Sequence, residues 1–294
     1  MVSFCFEKRY METESLRIFC AVAAELSITQ AAARLGRAPS NVTTRIQQLE
    51  AELGAELFVR LGKRIALSTA GEQYLGYAER LLALEDEARQ VVSNGASGGV
   101  LRIGSMESTA ASRLPGVLAA FHVDHPATRL VLRTGPSRQI VEQVRSGALD
   151  CAFAALPGGG AELAEMGLQS MPVWTEELLL LLPPGESDVD DARQVRARSL
   201  AAFPQGCTYR SLAEERLGIS GAWRVQEMNS YHAMIACVAA GACVTVLPAS
   251  VLALGGAPSA LKTLPLGRLD TCLVWREGFA TPAFSAFAER LPTA

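Results

Sequence analysis

The sequence predicts a multidomain chain in which a small, largely helical unit runs into a long helix, followed by a larger α/β unit. Three observations carry this reading. Between Leu16 and Leu53 apolar residues recur at helical spacing, and from Thr69 to Val92 they do so again without interruption. From Val100 onward the pattern changes to short apolar runs alternating with helical stretches, as in sheets covered by helices on both faces. The 294 residues, 49% of them hydrophobic, suffice for two or three cores.

The segment Pro39–Glu50, PSNVTTRIQQLE, organises the first unit. Val42, Ile46, Leu49 and Leu53 are spaced by four, three and four, which makes one apolar stripe on a helix. That stripe must be buried. The opposite face carries Ser40, Thr44 and Gln47, with Asn41, Thr43, Gln48 and Arg37 beside them and no carboxylate before Glu50. Hydroxyls and amides on a helix buried along its back suit the base edges of a DNA major groove, where carboxylates would repel phosphates.

The residues around this helix complete a motif. Thr29 is placed to cap a preceding helix, TQAAARL, in which Ala32 and Ala33 let a second helix cross closely, and Gln30 follows the cap. Gly36 ends that helix in the left-handed conformation, and Pro39 suits the first turn of the next. Two helices joined by a tight glycine turn predict a helix-turn-helix. In LFVRLGKRIALSTAGE, Leu57 and Phe58 close the core, while Arg60, Lys63 and Arg64 flank Gly62 in a two-stranded wing. Six Lys or Arg stand against three acids from Arg34 to Arg64, although the whole chain has a net charge of −3, so the basic character is local.

IFCAVAAELSITQAAARLGRAPSNVTTRIQQLEAELGAELFVRLGKRIALSTAG resembles the signature of the LysR-type transcriptional regulators, and the resemblance covers nearly all residues after Met11. Met11 is therefore a candidate start. The chain departs from the family at Ala38-Pro39, where Ser-Gln is common, which removes a side-chain N-cap and a DNA-contacting amide. The resemblance implies a winged helix-turn-helix DNA-binding domain over 12–70 and a linker and dimerisation helix with its hinge over 71–97. It also implies an effector-binding domain over 98–294, with one subdomain at about 98–168 and 270–294 and the other at about 169–269. That domain is expected to be α/β, bilobal and similar to periplasmic solute-binding proteins of type 2. Contact with double-stranded DNA is assigned to Thr29, Gln30, Arg37, Pro39, Ser40, Asn41, Thr43, Thr44, Arg45, Gln47, Arg60, Lys63 and Arg64.

The long helix begins at T-A-G-E, where Thr69 and Glu72 can form a capping box. Tyr74, Ala78, Leu81, Leu84, Ala88 and Val91 then make a coiled-coil-like seam. With nothing nearby in sequence to cover it, the seam is expected to pair with a second copy, giving a homodimer; the family implies a homotetramer built from two such dimers. The hinge SNGASGG formally matches G-x-S-x-G, but no strand precedes it, so it reads as linker.

In the second unit VLRIGS, RLVLRTG, LDCAFAA, ELLLLLP, WRVQEM and ACVTVLP are expected as buried strands of parallel sheets, with TCLVWREG returning late. Ligands in such folds sit where strands end and helices begin. This singles out Ser105, Met106, Glu107, Ser108 and Thr109, then Gly135 and Ser137, then Thr208, Tyr209 and Arg210, and last Ser230 and Tyr231. Helix starts and Arg210 together predict a small anionic effector.

Composition excludes other classes. No apolar run approaches the ~20 residues that span a bilayer, and the first ten residues lack a signal-peptide pattern. Seven scattered cysteines without CxxC fit reduced thiols in a cytoplasm. Cys207, beside Arg210 at a helix start, is the thiol expected to have a lowered pKa. His122 and His125 end a helix before Pro126 and lack further ligands for zinc, so no metal or other cofactor is expected. His232 is expected as a structural first-turn residue, and Trp174, Trp223 and Trp275 as core. No catalytic constellation converges at the strand ends, and three histidines leave little general-base capacity, so the chain is not expected to be an enzyme. The rivals are a sensor or solute-binding protein without DNA affinity, and an enzyme on the same bilobal fold.

Overall fold

The structure, a computed structural model, describes residues 12–61, 64–92, 98–157, 161–186, 188–221, 223–255 and 261–292. It comprises two units, meeting in sequence at Val92 and Ser93.

In the first unit α1 (Thr13–Glu25), α2 (Ile28–Leu35) and α3 (Pro39–Leu53) precede a hairpin of β1 (Phe58–Leu61) and β2 (Arg64–Leu67), and α4 (Thr69–Val92) follows. α1 contributes Leu16, Ile18, Phe19 and Val22 to one core, α2 contributes Ala31 and Ala32, and α3 contributes Val42, Ile46 and Leu49. The small residues that let α2 and α3 cross are thus Ala31 and Ala32; Ala33 is exposed. Leu53, the last member of the predicted stripe, is 41% exposed because α3 has passed the core by then.

The cap of α2 lies two residues earlier than Thr29: the Ser27 hydroxyl accepts from the Gln30 N–H at 3.3 Å. Gly36 follows with φ 64°, as expected of a glycine stop. Ser68, not Thr69, caps α4, its hydroxyl accepting from the Gly71 N–H at 2.9 Å. Gly71 itself is required, since a Cβ there would lie 2.0 Å from the Leu57 carbonyl oxygen. Glu50 closes the helix-to-wing joint by accepting from the backbone N–H groups of Leu57 (2.8 Å) and Phe58 (3.1 Å).

α4 divides its seam. Tyr74 and Ala78 pack back onto α1, with Tyr74 edge-on to Phe19 at 5.2 Å, whereas Leu81, Leu84, Ala88 and Val91 are exposed. Tyr77 joins these four to give an exposed row at spacings of four, three, four and three. The hinge residues 93–97 lie outside the described residues.

The second unit contains, in order, β3 (Val100–Ser105), α5 (Glu107–Ser112), α6 (Leu114–Asp124), β4 (Arg129–Thr134), α7 (Ser137–Arg145), β5 (Cys151–Ala155), α8 (Ala161–Glu165) and β6 (Leu168–Leu181). There follow β7 (Ser199–Ala202), α9 (Thr208–Arg216), β8 (Arg224–Glu227), α10 (Tyr231–Ala239), β9 (Val244–Pro248), α11 (Ala249–Gly255), β10 (Thr263–Arg276) and α12 (Pro282–Ala288). The strands hydrogen-bond in the order β4-β3-β5-β10-β6-β9-β7-β8.

Two parallel trios, β4-β3-β5 and β9-β7-β8, sit at the ends of this sheet, joined by two antiparallel strands of 14 residues. The sheet is therefore mixed, not parallel throughout. β5 pairs with the end of β10 at Thr271–Trp275, and β9 pairs with the end of β6 at Leu178–Leu181. β6 and β10 so connect two halves, each with its own helices. The outer strands β4 and β8 are largely exposed rather than buried, being edges. Phe121, Phe153 and Phe287 meet edge-to-face in the first half, while Tyr231, Met234 and Val238 of α10 pack over β9 in the second.

Where the two long strands pass between halves, Glu176 is buried at 2% exposure. It accepts from Arg113 Nε and the Ser250 hydroxyl, both at 2.7 Å. A buried carboxylate survives only with such partners. No helix among the described residues is long and apolar enough to cross a membrane.

Candidate functional site

Burial of Val42, Ile46 and Leu49 fixes which side of α3 faces outward. Pro39, Ser40, Asn41, Thr44, Gln47 and Gln48 are exposed, and Thr43 and Arg45 are half-exposed. The hydroxyls of Thr43 and Thr44 donate to the carbonyls of Pro39 and Ser40, both at 3.0 Å. Each hydroxyl therefore keeps its lone pairs for a donor from outside. Thr29 and Gln30 are exposed on α2.

The cations are less free than a local count suggests. Arg37 pairs with Glu14 (2.5 Å), Arg45 with Glu12 (3.0 Å) and Arg34 with Glu25 (3.1 Å). These acids lie within α1 or immediately before it, outside the window from Arg34 to Arg64. Lys63, and the side chains of Arg60 and Arg64, lie outside what the structure describes; the backbones of Arg60 and Arg64 lie on β1 and β2.

A cavity of about 370 Å³ opens between the two halves of the second unit. Its wall comes from four strand-to-helix turns: Met106, Glu107 and Ser108; Thr134 to Ser137 with Gln139; Phe203, Pro204, Gln205, Cys207 and Tyr209; and Asn229 with Tyr231. Of the residues expected there from sequence, Met106, Glu107, Ser108, Gly135, Ser137, Tyr209 and Tyr231 line the cavity.

Five do not line it, each for a local reason. The buried Ser105 hydroxyl donates to the Met106 carbonyl, and Thr109 is sealed beneath the turn at 1% exposure. Thr208 Oγ1 donates to the Ala155 carbonyl at 2.9 Å, and Ser230 is the N-cap of α10. Arg210, expected to meet an effector carboxylate, is buried and consumed by Glu214 and Glu227, both at 2.7 Å. Phe203, Pro204 and Gln205, which the sequence does not single out, follow β7, a strand of four residues and too short to show a period.

Several polar groups in this wall are buried and unmatched. The hydroxyls of Ser108 (2% exposed), Ser137 (4%) and Tyr209 (2%) have no hydrogen-bond partner at ordinary geometry, and neither does that of Thr271 on β10, outside the wall. Ser108 and Thr271 nevertheless lie near enough to the Tyr209 phenol to moderate its acidity. Burial dominates and pushes Tyr209 up to about 12. Tyr231 is likewise pushed up by burial and packs edge-on to Phe203 at 4.9 Å.

Burial also raises the Cys207 thiol, against the opposing pull of the Arg210 and Tyr209 N–H groups and the Arg210 charge. The expectation of an acidic Cys207 is therefore overturned: desolvation outweighs the helix start. His125 caps α6 and stacks on Phe121 at 4.6 Å, and His232 is exposed in the first turn of α10. Among the described residues no cluster of His, Cys, Asp or Glu is arranged to hold a metal.

Comparison with known proteins gives two family matches. Residues 13–72 match the bacterial regulatory helix-turn-helix protein, lysR family, and residues 94–294 match the LysR substrate binding domain. The chain is 37% identical over 287 residues to the HTH-type transcriptional regulator YusT of Bacillus subtilis, covering 95% of each chain. It is 33% identical over 292 residues to the transcriptional regulator GltR of the same organism, covering 94% of this chain and 95% of that one. Among solved structures, full-length OxyR from Pseudomonas aeruginosa superposes with a TM-score of 0.69 at 22% identity, covering 96% of this chain and 94% of that one. Full-length CbnR complexed with its target DNA gives 0.65 at 24%, covering 96% and 99%. These two likenesses are of fold.

Proposed function

Because this chain belongs to the LysR family of bacterial helix-turn-helix regulators, we propose that it reads DNA with α3 and is governed by a small molecule in the cavity of its second unit. One observation carries the DNA half: the outward face of α3 bears Ser40, Asn41, Thr44 and Gln47 and no acid before Glu50. These groups suit base edges, and Arg37, Arg45 and the wing residues Arg60, Lys63 and Arg64 suit phosphates or the minor groove. Pro39 and Thr43 lie on the same helix, and Thr29 and Gln30 are exposed on α2.

The exposed row Tyr77, Leu81, Leu84, Ala88 and Val91 has the heptad spacing of a two-stranded seam, which supports pairing of α4 with a second copy. Two α3 helices then meet successive major grooves, and two such dimers make a tetramer. With DNA as its partner, the protein works in the cytoplasm.

A mobility-shift assay with the duplex upstream of its own gene, against a scrambled duplex of equal length, tests the reading. Retardation of the first at concentrations that leave the second free is expected. Equal retardation of both, or of neither, points to a sensor without sequence-specific DNA affinity.

A further inference from the structure

Resting on the reading of the cavity as the effector site, we propose that its ligand is a small zwitterion: an amino acid with one carboxylate, one ammonium and an uncharged, largely apolar side chain.

Among the described residues lining the cavity, Glu107 is the single formally charged side chain, and no Lys, Arg or His is present. Glu107 is half-buried and has neither an ion pair nor a side-chain hydrogen bond among the described residues. Its oxygens are thus open to a charge-assisted hydrogen bond from an ammonium on the ligand.

The opposite requirement is met elsewhere in the wall. Ser137 begins α7, Cys207 is the N-cap of α9 and Tyr231 begins α10, each a helix of nine residues. Helix starts present a positive dipole end and N–H groups that the helix's own carbonyls do not take; of these, the Arg138 N–H donates to the Gly206 carbonyl and the Ala233 N–H to the Ser230 hydroxyl. The Ser137 hydroxyl beside the first of these is buried and without a partner. Ser108 and Tyr209 are in the same state, and the Tyr209 phenol is a hydrogen-bond donor at neutral pH. Three unmatched hydroxyl donors with three helix starts suit one carboxylate. A second carboxylate would find no side-chain cation, since Arg210 is held by Glu214 and Glu227, and it would meet Glu107 instead.

The remaining wall, Met106, Phe203, Pro204 and Tyr231, is apolar or aromatic. It suits an uncharged side chain, and about 370 Å³ falls in the usual range for a small-ligand site. The anionic group expected from sequence thus keeps its place at the helix starts but acquires a positive companion.

Calorimetric titration of the full-length protein tests this with L-phenylalanine, 3-phenylpropanoate, 2-phenylethylamine and succinate, and with L-methionine, L-valine and L-threonine beside them. At least one of the amino acids is expected to bind about tenfold or more tightly than analogues lacking either charge, as a charge-assisted hydrogen bond implies. Glu107→Gln should erase the preference over the deaminated acid, and Ser137→Ala the preference over the decarboxylated amine. No binding by any of the amino acids, or a preference that survives Glu107→Gln, overturns the zwitterion. Tighter binding of succinate, abolished by Gln205→Trp at the rim, also overturns it but leaves the cavity as the effector site. A ligand lost in Gln205→Trp that leaves the DNA footprint of the wild type unchanged overturns the effector reading instead.

Discussion

The outward face of α3 and the wall of the cavity are both built from hydroxyls and amides, yet they stand in opposite states. On α3 the groups are exposed, and Thr43 and Thr44 already donate within their own helix. In the cavity Ser108, Ser137 and Tyr209 are buried with no partner. Water satisfies the first set at no cost until DNA displaces it, whereas the second carries an unpaid desolvation until a ligand arrives. A polar side chain therefore points to recognition for different reasons in the two places. Outside, the signal is the missing carboxylate; inside, it is the missing partner.

The largest effect is expected where direct readout is at stake. Thr44→Ala removes a hydroxyl that still has lone pairs for a base donor, and should weaken binding to a specific site by ~1–3 kcal/mol with little change on random DNA. Titrations of both duplexes by fluorescence anisotropy measure the difference. Equal losses would mean that Thr44 supports the helix and reads no base, and the contrast between the two surfaces would fail on its outer side.

On the inner side the expected change has the other sign. Tyr209→Phe deletes an unmatched buried hydroxyl, so the ligand-free protein should gain up to about 1 kcal/mol, the cost of an unsatisfied group being on the order of 1–3. Denaturant unfolding of the second unit, followed by tryptophan fluorescence, measures it. The same variant should bind effector more weakly. A loss of stability would show that Ser108 or Thr271 satisfies the phenol after all.

The two regions also differ in how far the sequence discloses them. α3 is local: the spacing of Val42, Ile46 and Leu49 places every outward residue, and only Leu53 falls off the pattern, one turn beyond the core. The cavity is assembled from turns up to 125 residues apart, from Met106 to Tyr231. The strand-end rule found the turns themselves. It could not say which hydroxyl faces the cavity and which, like those of Ser105 and Thr208, is spent on a neighbouring carbonyl. Arg210 looks free in the sequence because Glu227 lies 17 residues away on β8, and nothing in the local sequence announces that pairing. β6 and β10 were seen in part, since Thr175, Glu176 and Glu177 interrupt one apolar run and Gly267, Arg268 and Asp270 the other. Such polar breaks fall where the strands cross between halves; there Glu176 accepts from Arg113 and Ser250, and Thr175 donates to Asp270. β7, with SLAA as its whole length, has too few residues to show a period.

The smallest effect sharpens the outer surface further. Arg45 reaches α3's exposed side but is tethered to Glu12, an exposed pair of the kind worth ~0.2–1 kcal/mol. A phosphate must compete with that carboxylate and is repelled by it. Glu12→Gln should therefore tighten DNA binding by about 1.4- to 5-fold, the factor those energies imply, on specific and random duplexes alike, and steepen the salt dependence. Binding isotherms at several salt concentrations measure both. Because this gain ignores sequence whereas the loss in Thr44→Ala does not, the two variants together separate the residues that hold the duplex from those that read it. An unchanged salt slope in Glu12→Gln would remove Arg45 from the phosphate contacts and leave them to the wing.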